Sequence, residues 1–210
     1  MVAIVLPVVF PALASPITIE GGLSYPRGSF SEPTRQVNVQ KGAESGFTFG
    51  VQFAKPLGFL DLVGGFSYVE FGEQYTGDPE AGEAQDYKHT FIPATIGLRK
   101  RFLGTLPVRP YLGGAAGLYG YLARGQLLIE EPAGSGEFSE ENFTAVVRPG
   151  INFSFGVMFD VPFSFDLAAE LKYHLMVFQG VGQDPVDREY PYEVDADSRT
   201  FTTLTFGLVF

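Results

Sequence analysis

The chain contains no cysteine and no tryptophan, has two histidines, and carries fewer cations than anions. The absence of cysteine excludes a disulfide scaffold and thiolate metal sites, and it fits a disulfide-free envelope protein. With 14 Lys and Arg against 24 Asp and Glu the net charge is −10. A nucleic-acid partner would require a basic face and is therefore excluded. Beyond the N-terminus no run of 18 uncharged apolar residues occurs, so no transmembrane helix is predicted. A membrane protein of this composition has to be a closed β-barrel, because unpaired backbone groups are too costly in lipid.

What is abundant points the same way. The 21 Phe, 10 Tyr and 26 Gly, without runs of helix-forming residues, predict an all-β chain. Met1–Ala14 is apolar and ends on Ala12-Leu13-Ala14, the A-x-A form of a signal-peptidase site. Pro7 and Pro11 argue against a regular strand or helix there. A basic n-region is missing. The expected organisation is a signal segment over 1–14 and one barrel domain over 15–210.

Alternation with a period of two recurs along the rest of the chain. In the final stretch Thr202, Leu204, Phe206, Leu208 and Phe210 share one face, while Phe201, Thr203, Thr205, Gly207 and Val209 share the other. A first strand is predicted from Ile17 to Tyr25 and a second around Phe47–Ala54, turning at Lys55-Pro56-Leu57-Gly58. A third runs from Leu60 to Phe71, where Gly64-Gly65 suggests a bulge or a thin wall. The fourth covers Tyr87–Phe102. The fifth covers Arg109–Leu122, where Leu112, Leu118 and Leu122 compete with Tyr111, Tyr119 and Tyr121 for the apolar face. The sixth presents Ile151–Phe159, the seventh Phe163–Leu175, and the eighth closes the chain. Polar loops are expected over 26–45, 73–86, 123–142 and 178–199.

Connections therefore alternate between tight and long, the asymmetry of short periplasmic turns and long extracellular loops in membrane barrels. Aromatic residues gather at both strand ends. Phe53, Phe59, Phe102, Phe159, Phe163 and Phe210 lie beside the short turns; Tyr25, Phe47, Tyr68, Phe91 and Tyr173 lie toward the long loops. Such belts match interfacial girdles. The last three long loops are acidic, whereas Lys55, Arg99, Lys100, Arg101 and Arg109 sit near the tight turns.

Phe91-Ile-Pro-Ala-Thr-Ile-Gly-Leu-Arg99, Arg109-Pro-Tyr-Leu-Gly-Gly-Ala-Ala-Gly117, Pro149-Gly-Ile151, Glu170-Leu-Lys-Tyr173 and the closing strand together resemble the bacterial outer-membrane β-barrel family of the OmpA transmembrane-domain and OmpX kind. The resemblance implies an eight-stranded antiparallel up-and-down transmembrane barrel in the outer membrane. It also implies a lumen filled by side chains and assembly by the barrel-insertion machinery through the terminal Phe206, Leu208 and Phe210. Surrounding partners would be outer-membrane lipid and an extracellular partner met by the acidic loops.

Six polar residues are singled out as a lumen charge network: Glu20, Arg99, Arg101, Glu170, Lys172 and His174. Buried charges must pair, so Glu170, Lys172 and His174 are expected to face Arg99, Arg101 or Glu20. The sharper readings are a proton or ion path, or a catalytic dyad. His174 alternates with Tyr173 and Leu175 and so points away from lipid, His89 lies at a loop edge, and no G-x-S-x-G elbow occurs. Asp184, Asp187, Glu189, Asp195 and Asp197 match no standard calcium loop. No catalytic residue, metal or cofactor is expected. The predicted role is structural or adhesive; a narrow channel, a lipid-modifying enzyme and a soluble secreted ligand-binding barrel are the alternatives.

Overall fold

The computed structural model describes residues 16–28, 40–41, 43–72, 74–78, 83–102, 106–130, 136–177 and 198–210. Eight strands form the wall: β1 Ile17–Arg27, β2 Glu44–Leu57, β3 Leu60–Gly72, β4 Glu83–Arg101, β5 Val108–Glu130, β6 Gly136–Phe159, β7 Asp166–Val177 and β8 Ser198–Val209. Each pairs antiparallel with its sequence neighbours, and β1 pairs with β8 from Thr18↔Val209 to Arg27↔Thr200. The sheet is thereby closed. Closure satisfies the backbone of the edge strands, which would otherwise be left open.

The outer wall is apolar. Ile19, Phe155 and Phe206 are 55%, 54% and 64% exposed, while their neighbours Glu20, Glu170 and Thr205 are buried. Phe153, Phe155, Leu167 and Leu171 face outward, as the alternation predicts; Phe165, expected outward with them, is half-buried and lines the barrel mouth at the short turns. On β5 the competition resolves cleanly: Tyr111, Tyr119 and Tyr121 are buried inside, and Leu112 and Leu118 are exposed. Glycine opposite tyrosine makes the room. A Cβ on Gly156, the register partner of Tyr111, would lie 2.4 Å from the tyrosine Cζ, and one on Gly150 would lie 2.7 Å from Tyr119 Cε2.

Several predicted boundaries are corrected. Lys55–Leu57 belong to β2; the turn is Gly58-Phe59, with Gly58 at φ 73°, a conformation suited to glycine in a two-residue hairpin. No bulge occurs at Gly64-Gly65, which pair in unbroken register with Phe53 and Gln52. The register shifts lie instead between Glu44 and Phe47 and between Gln126 and Leu128. β7 begins at Asp166, so Phe163 and Phe165 belong to the connection before it.

The largest correction concerns the second and third loops. β4 starts at Glu83, β5 continues to Glu130 and β6 starts at Gly136, so most of 123–142 is paired strand. Two short strands, Gln74–Asp78 and Gln40–Lys41, widen this raised part: the first pairs with β4 and the second with the first. Neighbour pairing overrides the weak strand propensity of a Glu- and Gly-rich segment. The predicted signal segment 1–14 and the acids Asp184, Asp187, Glu189, Asp195 and Asp197 lie outside the described residues.

Candidate functional site

The inward residues of the strands stack in three tiers. In the middle tier Lys172 Nζ donates to Glu20 Oε1 at 2.6 Å and lies 3.0 Å from Glu170 Oε2. Gln52 Nε2 bridges the same two carboxylates at 2.8 and 2.7 Å, and Thr205 Oγ1 donates to Glu20 at 3.3 Å. One ammonium thus serves two carboxylates, with an amide and a hydroxyl supplying further donors. Such satisfaction is required of charges held away from water. Sequence alternation placed Glu20, Glu170 and Lys172 on inward faces; the bridging Gln52 carried no signal beyond sharing that parity.

The tier toward the short turns is built on an acid the sequence reading left out. Asp61, buried on β3, accepts from Arg101 Nη2 at 2.8 Å and Arg99 Nε at 3.3 Å. The Arg99 guanidinium also lies 4.9 Å from the Tyr111 ring centroid. Arg99 and Arg101 therefore take their carboxylate from β3, not from Glu20 or Glu170 as expected. The cause is register: Asp61 pairs directly with Arg99 across the β3–β4 ladder. Arg109 bonds Asp166 at 2.7 Å and also contacts Asp160.

The tier toward the raised sheet is aromatic. His89 stacks on Tyr121, Tyr121 on Phe91, Phe91 on Phe201 and Phe201 on His174, with centroid separations of 5.9, 4.9, 5.1 and 4.4 Å. Phe71 closes this row edge-on against Phe91 and Phe201. Phe91, expected in the outer aromatic belt, is fully buried here, because inward parity on β4 falls on the odd residues that include Arg99. His89, expected at a loop edge, is buried on β4, with Nδ1 2.8 Å from the Tyr121 hydroxyl. His174 Nδ1 is 3.1 Å from the Tyr119 hydroxyl and Nε2 is 3.3 Å from Thr203 Oγ1. A lipid substrate would lie across the wall from both imidazoles.

Two lumen cavities border the middle tier. One, of about 40 Å³, touches Gln52, Lys172 and His174; the other, of about 10 Å³, touches Glu20, Arg99 and Tyr111. A single water needs roughly 10–15 Å³ of such volume. Spaces of this size have room for single waters.

A charged interior inside an apolar exterior inverts the arrangement of a small soluble barrel and suits a wall surrounded by hydrocarbon. The solved structure of Neisserial surface protein A (NspA) is similar to this chain with a TM-score of 0.51, at 17% identity over 93% of this chain and 96% of that one. The fold is that of an eight-stranded outer-membrane β-barrel. Weaker likenesses reach Ail, the attachment invasion locus protein of Yersinia pestis (TM-score 0.43, 14% identity, 94% and 100% covered). They also reach the N-terminal β-barrel domain of Pseudomonas aeruginosa OprF (0.39, 13%, 93% and 97%). No family model and no curated protein matches the chain.

Proposed function

We propose that this protein is a surface-interaction barrel of the bacterial outer membrane: a sealed scaffold, not an enzyme, that presents an acidic raised sheet to an extracellular protein partner. The observation that carries this reading is the height of β4–β6. β6 pairs with β7 from Gly150 to Phe159, whereas among the described residues no strand pairs with that side of residues 136–147. An open strand edge is a template for an added strand from another chain. Between Gly125 and Val147 the sequence carries Glu130, Glu131, Glu137, Glu140 and Glu141 and no Lys or Arg. An extended, basic segment is the complementary partner, bound through main-chain hydrogen bonds and steered by charge.

In this reading the short turns face the periplasm. Glu20, Glu170, Lys172, Arg99, Arg101 and His174 serve as a structural lumen network that braces the wall. Phe206, Leu208 and Phe210 serve as the signal read by the insertion machinery, and lipid surrounds the outer wall. A conduit for small solutes is disfavoured by the two small cavities and the row of stacked rings. The raised sheet can be shortened by joining Gly125 to Asn142, which are register partners, through an Asn-Gly turn. The shortened barrel should keep its gel-mobility shift between unheated and boiled samples yet lose binding to an immobilised alternating Lys-Thr peptide, and wild-type binding should weaken as salt rises. Equal binding by the shortened and full-length barrels would refute the assignment.

A further inference from the structure

The lumen is not filled to its lower end. Beneath Arg99 a cavity of about 320 Å³ opens at the short-turn mouth of the barrel. That volume lies at the lower end of the range of small-ligand pockets. Its lining is divided. Arg99 and Arg101 lie on one side and share a single carboxylate, Asp61. Part of the rim is aromatic: Phe165 stacks on Phe163 at 5.6 Å and meets Phe210 at 6.3 Å, with Ser164 and Asp166 beside them. Val209 and Met158, both buried, line the pocket as well.

Two guanidiniums on one carboxylate leave a surplus of one positive charge. The third arginine, Arg109, is held between Asp160 and Asp166, so the opposite charge surplus sits on its side of the mouth. Arg109 Nε is nevertheless buried and has no hydrogen-bond partner among the described residues. An anion entering on the Arg99–Arg101 side would meet two guanidiniums that share one carboxylate, while an attached hydrocarbon chain would cover the phenylalanine side. Guanidinium groups suit carboxylate in this way through paired, charge-assisted hydrogen bonds.

We propose that this vestibule binds a single-chain amphiphilic anion, a short acyl chain ending in a carboxylate, with its head at Arg99 and Arg101 and its tail against Phe163, Phe165 and Phe210. The cavity is too small for a two-chain phospholipid to enter whole. A free fatty acid supplies this chemistry.

The chain carries an internal reporter pair. Met158 lines the vestibule, and Met176 lies buried with Phe91 and Phe201 in the aromatic tier. With ¹³C-methyl methionine in the full-length barrel in lipid nanodiscs, hexanoate should move the Met158 resonance in a saturable way and leave Met176 in place. Hexanol, of equal chain length and no charge, should bind far more weakly. Arg101→Gln should weaken hexanoate by about tenfold or more, the loss expected for a charge-assisted hydrogen bond. Asp61→Asn, which removes the competing carboxylate, should tighten it. Dihexanoyl phosphatidylglycerol, whose acyl chains carry no free carboxylate, should not displace hexanoate; saturable displacement by it would overturn the carboxylate assignment. Equal affinity for hexanol and hexanoate, or no Met158 response to either, overturns the proposal. The wild-type comparison stands even if a variant fails to fold.

Discussion

Ile17 and Phe210 exchange both of their backbone hydrogen bonds, Ile17 N to Phe210 O at 3.1 Å and Phe210 N to Ile17 O at 2.8 Å. The last residue of the chain is therefore the final rung of the seam between β1 and β8. Phe210 is 58% exposed, and its ring lies beside Phe165 at the short-turn mouth of the barrel. Deleting Phe210 removes two hydrogen bonds worth about 1 kcal/mol each and, under the proposed assembly signal, the feature read during insertion. Phe210→Ser keeps the backbone pair and removes the ring. Both variants should give little heat-modifiable protein in cells, while refolding into detergent should be impaired more by the deletion. If Phe210→Ser assembled in cells as well as wild type, the aromatic would not be the signal.

Lys172 is the one ammonium between Glu20 and Glu170, at 2.6 and 3.0 Å. Lys172→Met leaves two buried carboxylates uncompensated and should cost about 3–5 kcal/mol, the range for breaking a buried pair. Adding Glu20→Gln and Glu170→Gln should recover much of that loss. Reversible urea unfolding in lipid vesicles measures both steps; a silent Lys172→Met would show that the network does not brace the barrel.

His174 lies on Phe201 at 4.4 Å with the rings 12° from parallel, at one end of the aromatic row. Wild-type protein should give no discrete conductance in planar bilayers. Phe91→Ala with Phe201→Ala removes the centre of the row. Each change should cost about 3–5 kcal/mol, and the pair should allow measurable ion leak in whatever fraction remains folded. Steady wild-type channels would revive the conduit reading.

Gly156 faces Tyr111 across the β5–β6 ladder. Gly156→Ala drives a methyl into the tyrosine ring and should destabilise by about 1–3 kcal/mol through overpacking. Combined with Tyr111→Leu, the effect should be less than additive, because the clash with the ring has then been removed and only the approach to the Ala169 carbonyl oxygen, at 2.7 Å, remains. Additive losses would mean that the ring moves aside freely.

Periodicity along the chain was sufficient for most of the wall. The alternation of β1, β2, β7 and β8 and the placement of Glu20, Glu170, Lys172 and His174 on the polar faces follow from a period of two. It was not sufficient for the partners. Parity says that Arg99 and Asp61 point inward, but the antiparallel register brings them side by side, and register is a property of two strands at once. The same holds for Phe91 and for the tyrosines of β5. On β5 an aromatic face competes with an aliphatic one, and closure of the barrel turns the tyrosines into a lumen where Gly150 and Gly156 leave space. The raised ends of β4–β6 escaped detection for a different reason. Their Glu, Gly and Ser residues have little intrinsic preference for a strand, and their pairing comes from the strand alongside. The vestibule lay furthest from view, since its wall draws on Asp61, Arg99, Arg101, Met158, Phe165 and Phe210, which become neighbours when the seam closes.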